Sequence, residues 1–436
     1  MKKLDRELLA RTVTDTVLGD VAQGKVGGAA ALVLQQGEVV FEGFFFDSGS
    51  PFEVRRDTLF RMASMTKPVT AVAVMKLAER GLLNLDDPIG KYLPKLDKLP
   101  LGKVCDDQLT KLEESYRLTI RNLLTHSSGF GSGPVGNWIG TNRTQERMRN
   151  LETVVDYYAD CALDFAPLSA QAYSGVVAFD VAARIVEIVS GMSYDRFLQQ
   201  EIFEPLGMVD TTFAPTPEQW ERMIPMHDRV EEKSVVKPTK PGTIFEGFPT
   251  TYFAGGAGLA STLQDYCRFA EMLQNGGSLD GVQILTSDSV RQMATPQLPE
   301  AIMPGNEIWG LGVRVITRDA YGPLPVGTFG WSGAYGTHFW VDPVNQITVI
   351  YLKNSAYDGG SAQKLPGRWK RMFIKACCKI RKIPLILRIR GIFVTDGKTE
   401  PGDPGAASQT HSVHYGTLRR RIRFPDPSGG RHRQRL

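Results

Sequence analysis

A serine and a lysine stand one helical turn apart in the run Phe60-Arg61-Met62-Ala63-Ser64-Met65-Thr66-Lys67-Pro68-Val69-Thr70. The apolar stretch that follows reads as a helix. Ser64 then lies at its N-terminal end, near unpaired backbone N–H groups and the positive end of the helix dipole. Lys67, at i+3, shares its face. An amine there can take up the hydroxyl proton, which makes a serine nucleophilic without histidine. Taken singly, Ser64 is equally an N-cap and Lys67 a solvated helix lysine. A second match, Ser361-Ala362-Gln363-Lys364, lies among Gly359, Gly360, Pro366 and Gly367 with no apolar helix after it, and is read as chance. The chain contains no Gly-x-Ser-x-Gly elbow.

The elements that must position this pair are legible at low resolution. Residues 29–46 read as a hairpin turning at Gln36-Gly37. Residues 58–61 are extended, and residues 69–80 form a helix apolar on most sides, hence buried, stopped by Gly81. Residues 95–226 read as mostly helical, with residues 176–189 forming a helix that ends at Ser190-Gly191. Strand patterns return at residues 311–316, 327–331, 337–341 and 346–352, the last two around Asp342-Pro343-Val344-Asn345. Leu4, Leu8, Leu9, Val13, Val17 and Leu18 recur at helical spacing, and residues 368–380 suit a closing helix.

Strands at both ends with helices between predict an α/β (α+β) fold. This is a mixed layered domain, with a helical region inserted between its two halves. The expected division is residues 1–95 and 240–380 for the sheet domain, 96–239 for the helical domain and 381–436 for a basic, disordered tail.

Composition narrows the class. The 436 residues are 42% hydrophobic and 22% charged, as in ordinary globular proteins. No apolar run approaches the roughly 20 residues that span a bilayer. The stretch at residues 383–394 is broken by Pro384, Arg388, Arg390 and Gly391. The N-terminus lacks the unbroken apolar core of a secretory leader. Five scattered cysteines, of which only Cys377 and Cys378 are adjacent, suggest neither a disulfide framework nor a metal site, so a cytoplasmic location is expected. From Lys379 onward there are 13 basic and 4 acidic residues, so the positive balance belongs to the tail and the rest of the chain is mildly acidic. No nucleic-acid partner is expected, and the tail reads as a solvated extension.

Further segments carry chemistry: Leu118-Thr119-Ile120-Arg121-Asn122-Leu123-Leu124-Thr125-His126-Ser127-Ser128-Gly129, Tyr173-Ser174-Gly175, Gly255-Gly256-Ala257-Gly258-Leu259-Ala260-Ser261-Thr262 and Trp331-Ser332-Gly333-Ala334-Tyr335-Gly336. With Gly81-Leu82-Leu83-Asn84-Leu85-Asp86-Asp87-Pro88-Ile89 and Pro205-Leu206-Gly207-Met208, they run in an order that resembles the serine β-lactamase and penicillin-binding-protein superfamily. The likeness is to its class C-like branch, nearest the family VIII carboxylesterases and related acyltransferases, over residues 27–352.

The resemblance implies a β-lactamase-like fold, an antiparallel sheet flanked by N- and C-terminal helices plus an inserted, mainly helical domain, and it implies roles. Ser64 matches the acylated nucleophile, Lys67 the lysine that helps deprotonate it, and Tyr173 the tyrosine that shuttles protons among serine, leaving group and water. The division of labour between Lys67 and Tyr173 stays open. The backbone N–H groups of Ser64 and Ala334 match the oxyanion hole. Trp331-Ser332-Gly333 matches the strand motif that is usually Lys-Thr-Gly. His126 is expected to be structural. Tyr173-Ser174-Gly175 lacks the asparagine of Tyr-x-Asn, and Trp331 replaces a lysine, so the groups that hold a lactam side chain and carboxylate are gone. Both departures are similar to the esterase branch. The substrate-binding residues expected are Trp331, Ser332, Gly333 and Tyr335 along the strand, with Tyr116, Phe130, Trp138 and Phe253 as walls.

The function expected is that of a serine carboxylesterase acting on small, short-acyl esters through a Ser64 acyl-enzyme, needing no metal or organic cofactor. The alternatives are an acyltransferase using the same acyl-enzyme, a weak β-lactamase or D-aminopeptidase, and a non-catalytic binding homologue.

Overall fold

A computed structural model describes residues 4–50, 52–231, 233–237, 251–318 and 324–355, all within a unit spanning Met1–Lys382. The second serine-lysine match, the expected closing helix, the stretch at residues 383–394 and the basic tail lie outside the described residues.

Seven strands build the main sheet: β1 (Gly28–Gln35), β2 (Glu38–Phe46), β3 (Glu307–Trp309), β4 (Arg314–Ile316), β5 (Phe329–Ser332), β6 (His338–Asp342) and β7 (Ile347–Lys353). Their spatial order is β3-β4-β5-β6-β7-β1-β2, and every neighbouring pair is antiparallel. Segments more than 300 residues apart in sequence therefore meet in one sheet, where β1 pairs with β7 from Ala29↔Lys353 to Gln35↔Ile347. The β1–β2 turn falls on Gln36 and Gly37, both at positive φ (57° and 73°), as a two-residue hairpin of the right twist requires. The β6–β7 turn is held by Asp342, whose Oδ1 accepts from the N–H of Val344 and Asn345 at 2.9 Å.

Both faces of the sheet are covered, so β1 is buried at all eight positions. Ala29, Ala31 and Val33 pack under helix α1 (Arg6–Ala22), with Leu9, Val13, Val17 and Val21. Asp5 caps that helix by accepting from Leu8 N–H at 3.0 Å. On the other face, Ala30, Leu32 and Leu34 join the larger core with helix α2 (Thr66–Glu79). Helix α2 is buried nearly all round, and Gly81 ends it at φ 69°. Helix α3 (Val177–Ser190) packs on α2 and closes on left-handed Gly191. Helix α4 (Leu263–Gln274) packs against β1, β6 and β7.

Two elements differ from expectation. Strand β3 precedes the first strand expected after residue 300, and residues 310–313 form a turn through Gly312 at φ 75°. A hairpin, Leu99–Cys105 with Gln108–Tyr116, stands inside the stretch read as helical. Its turn residues Asp106 and Asp107 both adopt positive φ, which short acidic side chains tolerate. Only one of its sixteen strand positions is buried, so no buried face imposes a regular apolar alternation on it.

Asp265, at the start of α4, gives a pH-dependent stability. Burial raises its carboxyl to about 6, against hydrogen bonds from Asp210 N–H and the Thr211 hydroxyl. A carboxyl raised in the folded state contributes stability below its unfolded value of about 3.9, and that contribution is lost as pH rises through about 6. Relative to Asp265→Asn, the wild type is expected to lose about 2 kcal/mol between pH 4 and pH 7. Urea unfolding of both proteins at the two pH values measures this, and equal slopes would contradict it.

Candidate active site

The approach to Ser64 is fixed by backbone. The short strand Phe60–Arg61 pairs with Ala260–Ser261. Asn354, just past β7, clamps it from the other side: Asn354 Oδ1 accepts from Arg61 N–H at 2.9 Å, and Asn354 Nδ2 donates to Arg61 O at 3.2 Å. Ala63 then sits at φ 47°, a left-handed conformation that costs a non-glycine residue about 1 kcal/mol or more. Ser64 follows in a single 3₁₀ turn, Ala63–Met65, that runs into α2. Ser64 is not the N-cap of α2; that position is Met65, without a side-chain cap. The hydroxyl is thus not spent on capping.

Lys67 is fully buried. Its Nζ donates to Ser64 Oγ at 3.2 Å, to Gly175 O at 2.5 Å and to Gly256 O at 2.8 Å. All three acceptors come from different parts of the chain. The glycine-rich stretch at residues 255–258 can supply its carbonyl because it lies flat on α3: a Cβ at Gly255 would sit 2.3 Å from Phe179 O. Thr70, one turn further along α2, donates to Gly255 O at 2.6 Å and fixes the same stretch.

Tyr173 lies beside this pair. Lys67 Nζ stands 4.9 Å from the centroid of its ring. Its hydroxyl is buried and makes no hydrogen bond among the described residues, so the phenol is not joined to Ser64 or Lys67 in this arrangement. The ring belongs to an aromatic cluster with His126 (4.6 Å between centroids), Trp331 (5.2 Å) and Trp309 (6.1 Å). Arg314 on β4 faces both tryptophans, at 5.3 Å and 5.5 Å from their rings.

The end of β5 abuts the Ser64 turn. Thr337 donates through Oγ1 to Met62 O at 3.0 Å. Gly333 allows this closeness, since a Cβ there would sit 2.1 Å from Thr337 Oγ1 and 2.3 Å from Met62 O. Neither Ser64 N–H nor Ala334 N–H has a backbone acceptor among the described residues. Trp331 is buried, Tyr335 half-buried and Ala334 exposed. Ser332 is engaged on the neighbouring strand, its Oγ 2.6 Å from His338 Nδ1.

The expected walls scatter. Phe253 is half-buried, 5.5 Å from Phe213 and three residues before Gly256. Trp138 donates from Nε1 to Asp107 O at the tip of the exposed hairpin, and Tyr116 Oη donates to Glu114 on that hairpin. Phe130 is fully buried, edge-on to Tyr158, which is a core position.

Several residues at the site had no signal of their own in the sequence. Trp309 and Arg314 reach it from β3 and β4. Gly175 and Gly256 act through carbonyls, which no residue type announces. Asp180, on α3, is buried among Tyr158, Tyr252 and Arg143; Tyr158 and Tyr252 donate to its Oδ2, and burial raises its carboxyl. Among the described residues, no group of three or more His, Cys, Asp or Glu side chains could hold a metal ion, and no helix is long and apolar enough to cross a membrane.

Comparison with known proteins agrees with this architecture. The family model for Beta-lactamase matches residues 13–370. Esterase EstB of Burkholderia gladioli is 31% identical over 390 residues, spanning 82% of this chain and 93% of that protein. Protein Rv1367c of Mycobacterium tuberculosis is 33% identical over 357 residues, spanning 76% of this chain and 86% of its own length. The solved structure of EstCE1, a hydrolase with promiscuous acyltransferase activity, superposes with a TM-score of 0.71 at 22% identity, covering 85% of this chain and 99% of that one. The chain belongs to the Beta-lactamase family of serine hydrolases and has its fold.

Proposed function

We propose that this protein is a carboxylesterase that hydrolyses small, short-acyl esters through an acyl-enzyme on Ser64, in the cytoplasm and without a nucleic-acid partner. The observation that carries the reading is the buried Lys67 amine, held by Gly175 O and Gly256 O with its third direction toward Ser64 Oγ. As an ammonium, Lys67 spends all three N–H groups on these acceptors. As a neutral amine, it keeps two N–H groups on the carbonyls, and its lone pair faces the serine.

In that state Lys67 takes the hydroxyl proton as Oγ attacks the ester carbonyl carbon. The C–Oγ bond forms and the carbonyl electrons move to oxygen, where the N–H groups of Ser64 and Ala334 stabilise the negative charge. Collapse breaks the bond to the alcohol oxygen, which leaves with a proton delivered by Lys67 or Tyr173. Water then attacks the acyl carbon, loses its proton to the same groups, and releases the acid with Ser64 restored. Tyr173 joins by a rotation that brings its unpartnered hydroxyl toward Lys67. Trp331 in the place of a cation suits neutral substrates, and EstB, an esterase by name, supports ester chemistry.

An acyltransferase reading shares every step but the acceptor, and EstCE1 lends it support. Rates with and without a competing alcohol acceptor separate the two. The primary test is intact-protein mass after reaction with p-nitrophenyl butyrate or a phosphonate ester. One adduct is expected, mapping to Ser64 and absent from Ser64→Ala. An adduct elsewhere, or none in the wild type, would refute the reading.

A further inference from the structure

His126 is absent from the proposed proton path, yet it holds the tyrosine in that path from both sides. It is fully buried, at φ 57°. Its carbonyl accepts from Ala172 N–H at 3.2 Å, and its ring Nδ1 accepts from Ser174 N–H at 3.0 Å. One residue thus grips the backbone immediately before and immediately after Tyr173. Because Nδ1 accepts, the ring proton sits on Nε2, which has no hydrogen-bond partner among the described residues. The ring also packs on Phe179 at 5.3 Å, on Trp309 at 4.3 Å and on Tyr173 itself at 4.6 Å between centroids, and Trp309 is shared with the Tyr173 ring.

We infer that His126 is a positioning residue, a clamp that sets where the Tyr173 hydroxyl can travel relative to Lys67 and Ser64. The inference rests on the reading of Tyr173 as a proton carrier. The clamp needs an imidazole that stays neutral, because a protonated ring would turn Nδ1 from acceptor to donor and set it against Ser174 N–H. The surroundings enforce this. Burial is the largest cause that pushes the imidazolium well below its ordinary range; the Arg314 cation adds to it, and so does Lys67 in the steps where it carries the proton. Lys67, Arg314 and Tyr173 are the titratable or charged groups that face the ring.

The geometry predicts an ordering of substitutions that simple core packing does not. Asparagine is shorter than histidine and fills less of the cluster. It can, however, present an acceptor where Nδ1 lies, and it tolerates positive φ better than most residues. Alanine keeps the carbonyl contact to Ala172 but loses the acceptor. A misplaced proton carrier typically costs about 100-fold in rate. His126→Ala is therefore expected to lower kcat on p-nitrophenyl butyrate by about 100-fold with KM nearly unchanged. His126→Asn is expected to recover most of that loss, to within about 5-fold of wild type.

The deciding experiment places both substitutions in wild-type and Tyr173→Phe backgrounds, measuring kcat, KM, thermal melting and the pH profile of each. A clamp acting through the phenol predicts that His126→Ala costs little more once the hydroxyl is gone. If His126→Ala costs the same factor in both backgrounds, or His126→Asn melts like wild type but is as slow as His126→Ala, the clamp is refuted while the role of Tyr173 stands. If an acid limb of the wild-type profile vanishes in His126→Asn, the imidazole itself titrates in turnover, and the clamp is likewise refuted. If Tyr173→Phe alone is as fast as wild type, the proton-carrier reading fails and the inference falls with it. Should His126→Ala not fold, the comparison of His126→Asn with wild type in the two backgrounds decides the matter.

Discussion

Lys67→Met is expected to lower kcat/KM on p-nitrophenyl butyrate by about 10⁴-fold, and with it the labelling of Ser64 by a phosphonate ester. The size follows from what the amine touches. It is the one side-chain partner of Ser64 Oγ, at 3.2 Å, and no imidazole lies within hydrogen-bonding distance of that oxygen among the described residues. A hydroxyl left without a proton acceptor is a weak nucleophile at neutral pH. The substitution should not unfold the protein. Methionine fills a similar apolar volume beside Phe179 and Tyr173, and removing the amine also removes the cost of burying it. Against that, Gly175 O and Gly256 O lose their donor, at about 1–3 kcal/mol for each carbonyl left buried. A melting curve shifted by several degrees, together with loss of labelling, is the expected pair of results. Labelling at the wild-type rate would show that some other base activates Ser64.

The second large effect is expected from a single methyl group. Gly333→Ala places a Cβ within 2.1 Å of Thr337 Oγ1 and 2.3 Å of Met62 O, and the second of these is backbone. The end of β5 must then move off the Ser64 turn, taking Ala334 N–H with it. Loss of one rigid oxyanion donor typically costs about 10²–10³ in kcat. KM should change little, because the ground-state ester uses that donor less than the tetrahedral intermediate does. The same substitution at Gly140, on the helix Pro134–Thr141, meets nothing within 4 Å and is expected to leave kcat unchanged. Equal rates for Gly333→Ala and wild type would remove Ala334 from the oxyanion hole.

Much of this molecule was legible before any coordinate. The hairpin at Gln36-Gly37, the buried helix stopped by Gly81 and the hairpin around Asp342 all declared themselves, because each depends on residues close in sequence. The hairpin at residues 99–116 escaped notice because its faces are largely exposed, so burial never imposed a clear alternation on it. The candidate walls were the weakest reading. Phe130 packs in the core against Tyr158 and Trp138 donates to the exposed hairpin tip, because nearness in sequence to a motif does not say which way a ring faces.

What the amino-acid order determined by itself was the pairing of Ser64 with Lys67. Two positions three apart on a helix share a face whatever surrounds them. What only the tertiary structure decided was how Lys67 is held, by carbonyls 108 and 189 residues away. It decided, too, that the Tyr173 ring packs beside it with His126 and Trp331, its hydroxyl without a hydrogen-bond partner among the described residues. A backbone carbonyl is the same in every residue. Its chemistry is set by where the chain folds it, and that is settled by long-range packing of the sheet, α2 and α3 rather than by any local run of side chains.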